Sequence, residues 1–189
     1  MSSPYNTQQY AVLKKFWSEP DFLNSCAYGL PIALRRNLQK AWCGYVGIPS
    51  SHPHFNLSYS EEILYGDWEL RQVGGKSPMT LLITAMKIDS IKETSKISLD
   101  AIYDAPGGLT YSGADWPTEV PKGYWWFGFD CSHYDDITPR EVFQSFSGYP
   151  YSLKPEGEYR TLEYVLTACR KLASRLSDFS SSFPEESVG

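Results

Sequence analysis

"GYWWFGFDCSHYDD", residues 123–136, sets Trp125, Trp126 and Phe127 ahead of Gly128 and then places Asp130, Cys131, His133, Asp135 and Asp136 within seven positions. Its first half is apolar on both faces, the pattern of a strand buried inside a sheet rather than one with a wet side. Its second half is polar and reads as the end of that strand. A second two-sided run, "AWCGYVGIP" at 41–49, predicts another interior strand, and "CAYGLPIALRRN" at 26–37 a third. "SLDAIYD" at 98–104 resumes alternation, and "APGGLTYSGADWP" at 105–117 reads as a glycine-rich turn.

Helices flank this sheet-forming middle. "TQQYAVLKKFWS" at 7–18 spaces Tyr10, Leu13, Phe16 and Trp17 helically, with Thr7 as a cap and Pro20 as the stop. Tyr159, Leu162, Val165, Leu166, Cys169, Leu172 and Leu176 form one apolar stripe over 159–178. Between 134 and 158, prolines and glycines predict a long surface loop containing a short helix at "PREVFQSF". Residues 60–98 carry a mixed text with one strand-like run, "MTLLITAMKI" at 79–88. The expectation is an α+β fold, a mainly antiparallel sheet covered by N-terminal and C-terminal helices. It forms a single globular domain over 1–180, with an insertion near 60–98 and a flexible tail at 181–189.

At 189 residues, 42% of them hydrophobic, the chain is long enough for one substantial core. A net charge of −5 argues against holding nucleic acid by phosphate neutralisation, so no direct nucleic-acid binding is expected. No apolar run reaches the roughly 20 residues of a membrane span, and the N-terminus lacks the basic-then-apolar text of an export signal. The four cysteines, Cys26, Cys43, Cys131 and Cys169, show no CxxC spacing, which favours free thiols in a reducing cytoplasm.

Three stretches hold chemistry-bearing side chains. If 126–133 is extended, Cys131 and His133 share one face, the arrangement of a thiol nucleophile and its base. Asp130, His133, Asp135 and Asp136, with His52 or His54 from another loop, are a candidate set for a divalent metal; Asp135 and Asp136 equally suit a turn or helix cap. "DAPGGLTYSG" at 104–113 offers Gly107 and Gly108 for close backbone approach and Thr110 and Tyr111 as hydroxyls for a small ligand. It matches neither a P-loop nor a dinucleotide fingerprint. "GYVGIPSSHPHF" at 44–55 holds His52 and His54 in a proline-bounded loop, whose interest depends on its ending beside Asp130 and His133.

Together "WCGYVGIPSSHPHF", "GGLTYSG", "WWFGFDCSHYDD" and a terminal "YRTLEYVLTACRKLASRL" resemble a group of small phage and prophage proteins of uncharacterised function. The recurring text of that group is GYVGxPxxHPxY, HGGLTYSG and WWxGFDCxHxxD, followed by a YRxxxYV helix. The resemblance covers about half of the chain in the same order. It implies a phage origin and a role in the infected host cytoplasm, and it points to His52, Gly107, Gly108, Thr110, Tyr111, Asp130, Cys131, His133 and Asp136. Two departures stand out: Pro106 occupies the histidine position of HGGLTYSG, and 60–98 is longer than usual.

Two functions follow as expectations. In the first, Gly107, Gly108, Thr110, Tyr111, Asp130, His133 and His52 bind a small polar molecule or present a surface to a host protein, as an accessory module countering host defence. In the second, a small hydrolase or transferase uses a metal at Asp130, His133, Asp136 and His52, or Cys131 as nucleophile. Binding is favoured, because charged residues suited to catalysis are few and Pro106 removes one histidine. Aromatic residues such as Tyr149 and Tyr151 suit a homo-oligomer, a host partner or the core alike.

Overall fold

A computed structural model describes residues 7–64, 96–146 and 157–180. Its centre is a five-stranded antiparallel sheet in the order β1-β2-β3-β7-β6. The strands are β1 (Phe22–Ala27), β2 (Leu30–Arg36), β3 (Trp42–Ile48), β6 (Tyr111–Gly113) and β7 (Trp125–Asp130). β3 is the middle strand and is buried at all seven positions, as its two-sided apolar text predicts. Among the described residues four helices accompany the sheet: α1 (Thr7–Ser18), α2 (Leu99–Ile102), α3 (Pro139–Phe146) and α4 (Leu162–Ser180). Two short strands, β4 (Glu62–Leu64) and β5 (Lys96–Ser98), pair separately.

The two sheet faces have different covers. Ile32, Leu34, Trp42, Val46, Ile48, Phe127 and Phe129 pack against Val165, Cys169, Leu172, Ala173 and Leu176 of α4. The predicted stripe on α4 is therefore the surface that seals the sheet. Gly44 sets how closely the helix approaches: a Cβ there would lie 2.4 Å from Cys169 Sγ and 2.7 Å from Phe129 Cζ. The other face carries Ala33, Cys43, Tyr45 and Trp126, packed by Tyr111, Val120 and Tyr124.

Two local readings are corrected. The strand expected over 26–37 is a hairpin, because Tyr28 and Gly29 both take positive φ (53° and 75°) and turn the chain between Ala27 and Leu30. "SLDAIYD" continues into a helical turn rather than a strand. Leu99, Ile102 and Tyr103 are all buried, at helical spacing. The N–H groups of Leu99 and Asp100 donate to Glu61 O and Tyr59 O, which supplies partners that a helix start lacks. The short helix at 139–146 is present as expected. The strand expected at 79–88, Tyr149, Tyr151 and the tail at 181–189 lie outside the described residues.

The helices are fastened to the sheet by one carboxylate. Glu19, just after α1, accepts hydrogen bonds at Oε2 from Arg36 Nη2 (2.9 Å), Trp42 Nε1 (2.9 Å) and Tyr159 Oη (2.6 Å). Its Oε1 accepts from the backbone N–H of Leu162, the first residue of α4, at 2.8 Å. Arg36 in turn lies between two rings, 4.6 Å from the centroid of Phe16 and 4.1 Å from that of Trp42. Burial alone would raise the Glu19 pKa, yet the hydrogen bonds from Tyr159, Trp42, Leu162 and Arg36 outweigh it and hold it below the ordinary carboxylate value.

Removing one partner from a buried ion pair strands the other charge. Glu19→Ala is expected to cost about 3–5 kcal/mol of unfolding free energy, with Glu19→Gln costing less because the amide retains an acceptor. Urea denaturation of the three proteins checks the order; a loss for Glu19→Ala below about 1 kcal/mol, the range of an exposed pair, would refute it.

Candidate functional site

Asp130 is the last residue of β7, opposite Cys43 of β3, which in turn is opposite Arg35 of β2. Its Oδ1 accepts the backbone N–H of Ser132 at 3.0 Å and the Ser132 hydroxyl at 2.5 Å, an Asx turn that ends the strand. Asn37 Nδ2 donates to Ser132 Oγ at 3.2 Å. On the other side, Thr110 N donates to Gly128 O at 2.9 Å, seating Thr110 beside β7, and its hydroxyl lies 3.4 Å from Asp130 Oδ2. These residues, with Cys43, Tyr45, Tyr111 and Phe129, line an open cavity of about 280 Å³ on the sheet face opposite α4.

Beyond Asp130 the chain does not stay extended. Cys131 N still donates to Trp42 O, but a turn follows in which Asp136 N donates to His133 O and His133 N to Asp136 Oδ2. Asp136 is buried; its Oδ1 accepts from Arg160 Nε at 2.7 Å, and its Oδ2 lies 3.3 Å from His133 Nδ1. Arg160 also donates to Glu158 Oε2. Asp136 therefore holds the segment before α4 to the end of β7. The His133 ring supports the glycine loop: Gly107 has φ 71°, and a Cβ there would lie 2.2 Å from His133 Cε1 and Nε2. Only glycine meets both requirements.

Thr110, Tyr111 and Asp130 thus line one cavity, with Gly107 and His133 interlocked in the adjoining loops. Gly108 closes the loop by donating its N–H to Ala105 O at 2.9 Å. A larger concavity of about 500 Å³ lies on the α4 side of the same loop, between Asp104–Pro106 and Thr161, Tyr164, Thr167 and Lys171. Asn37, Tyr45 and Ser132 were missed as cavity residues. For Ser132 the signal was its place two residues after an aspartate, and for Tyr45 its place on the β3 face opposite Trp42 and Val46.

His52 is not part of this site. It follows Ile48, which pairs with Trp125 at the start of β7, whereas Asp130 pairs with Cys43. Five residues of strand, roughly 17 Å, separate the two ends. His52 and His54 are also buried rather than solvated. His52 Nε2 is 2.9 Å from Leu176 O, and His54 N donates to His52 Nδ1 at 3.0 Å. A carbonyl can only accept and a backbone N–H can only donate, so His52 is fixed as the neutral tautomer with its proton on Nε2. His54 Nδ1 is 2.8 Å from the Tyr103 hydroxyl. Burial lowers the pKa of both, that of His54 to about 4 with a further contribution from His52.

The metal set is not assembled. Among the described residues no three His, Cys, Asp or Glu side chains converge where an ion could be held. The nucleophile reading is corrected too: Cys131 is buried in the core against α4, and its thiol pKa is pushed far up by burial and then by Asp136, Cys43 and Asp130. No helix among the described residues is long and apolar enough to cross a membrane. No protein-family model, curated protein or solved structure matches the chain.

Two outcomes follow. Of the four cysteines only Cys26 is exposed, so a thiol reagent at neutral pH is expected to titrate one group rapidly in the native protein and four in urea. Rapid native labelling of Cys131 would restore it as a nucleophile. The buried neutral histidines disfavour protonation, so their contribution to stability is full above about pH 6.5 and is lost as pH falls towards about 4. The urea midpoint is expected to drop across that window, and to drop less in His54→Gln; equal slopes would show that His54 is not responsible.

Proposed function

We propose that this chain is a small-ligand-binding module with the cavity beside Asp130 as its site, acting as a phage accessory protein against host defence in the infected cytoplasm. One observation carries the binding reading: the two oxygens of Asp130 are used unequally. Oδ1 is filled by Ser132, while Oδ2 has only the long Thr110 contact among the described residues, and Asp130 lines the cavity. A half-buried acceptor left short of donors suits a ligand that brings them. The surrounding Asn37–Ser132–Asp130 chain and the Gly107–His133 contact hold the walls before any ligand arrives, which lowers the ordering cost of binding. The phage origin rests on the sequence resemblance alone, and the defence role on the association that small phage accessory proteins often interfere with host defence.

Binding is favoured over hydrolysis because Cys131 is buried with its thiol pKa pushed up, and Asp136 is already paired with Arg160. Protein purified from an infected or expressing host, examined by native mass spectrometry with elemental analysis of the same sample, is expected to carry a small molecule that Asp130→Asn lacks. Wild-type protein with no retained molecule, and no metabolite-induced thermal shift that depends on Asp130, would overturn the reading.

A further inference from the structure

We infer that the cavity takes a cationic head group, an alkylguanidinium or alkylammonium, received by Asp130 Oδ2 beside the rings of Tyr45 and Tyr111. This rests on the cavity being a ligand site, and it assigns the charge of what binds there. The lining contains one carboxylate and no lysine, arginine or histidine. Two other carboxylates held in the fold have cations: Glu19 has Arg36, and Asp136 has Arg160. Asp130 makes no ion pair among the described residues.

Arg35, in the same row of the sheet, does not answer it. Its guanidinium donates instead to Leu23 O, Leu34 O, Asn24 Oδ1 and Thr118 O, on the β1 side. The uncompensated charge is felt across the row: the Cys43 thiol is pushed up to about 12, by burial first and by Asp130 second. Such a field repels phosphates and carboxylates and attracts a cation.

The ring surface fits the same occupant. Tyr45 and Tyr111 meet edge to face with centroids 5.6 Å apart, and aromatic rings beside a carboxylate are a recurrent receptor for ammonium and guanidinium groups. A volume of about 280 Å³ accommodates such a head and a few carbons, less than a nucleotide requires. Thr110 Oγ1 adds an acceptor for a second N–H of the ligand. Both a free amine or guanidine metabolite and an arginine or lysine side chain of a protein carry this head.

Calorimetric titration at low ionic strength separates the cases, using butylguanidinium, butylammonium, the neutral near-isostere butylurea, and the blocked peptides acetyl-Gly-Arg-Gly-amide and acetyl-Gly-citrulline-Gly-amide. The cations are expected to bind roughly tenfold to a hundredfold more tightly than butylurea, and less tightly as salt is raised. Asp130→Asn should abolish the preference without altering the melt, since the amide oxygen can keep Ser132 while its NH₂ faces the cavity. Thr110→Val should weaken the cations a few-fold. Arginine peptide binding more tightly than butylguanidinium marks a protein side chain as the source; butylguanidinium binding without the peptide marks a free metabolite. Asp130-dependent binding of butylurea equal to that of the cations sinks the charge assignment and leaves the ligand site standing. Failure of every probe, charged and neutral, sinks the cationic assignment, while the ligand site itself falls only if no retained molecule and no Asp130-dependent thermal shift is found.

Discussion

The carboxylate of Glu19 is the constraint on which the arrangement of helices depends. It follows α1, receives a side chain from β2, another from β3, a tyrosyl hydroxyl from the segment before α4, and the first N–H of α4 itself. Each of those donors would be costly to bury alone. Gathered on one acceptor, they fix where both terminal helices begin relative to the sheet. Arg36, clasped between Phe16 and Trp42, lends the cluster an apolar jacket that keeps water from competing.

With α4 so fixed, the sheet divides its labour by face. The face under the helix is apolar throughout, and the absence of a side chain at Gly44 lets Cys169 sit against the middle strand. The opposite face mixes aromatic rings with Cys43, Arg35 and Asp130. Alternation along β3 and β7 therefore separates support from chemistry at a distance of one residue. The cavity lies where β7 runs out and its Asx turn meets the glycine loop.

Much of this could be read beforehand, and each failure has a physical cause. The stripe on α4, the helix at 139–146 and the two-sided burial of β3 follow from local periodicity, which a sequence carries openly. Thr110, Tyr111 and Asp130 come together because β6 lies directly beside the end of β7. His52 was misplaced because grouping it with Asp130 needs the loops after β3 and β7 to emerge at one end of the sheet. Antiparallel neighbours forbid that: the end of one strand lies beside the start of the next. The hairpin at Tyr28-Gly29 was missed for want of an Asn-Gly or Asp-Gly signal. Glu19 was invisible because its partners lie 17, 23 and 140 residues away, and spacing says nothing about such contacts.

The small β4–β5 ladder has a consequence for the cost of closing the chain. Leu64 pairs with Lys96, so the polypeptide departs and returns through adjacent positions. The entropy of closing a loop between fixed ends grows only with the logarithm of its length. By that measure, the length of the segment that joins those two residues weighs little on the closure of the ladder itself. The ladder works as a clasp in the architectural sense: a separate two-stranded sheet that holds the two ends of that segment side by side.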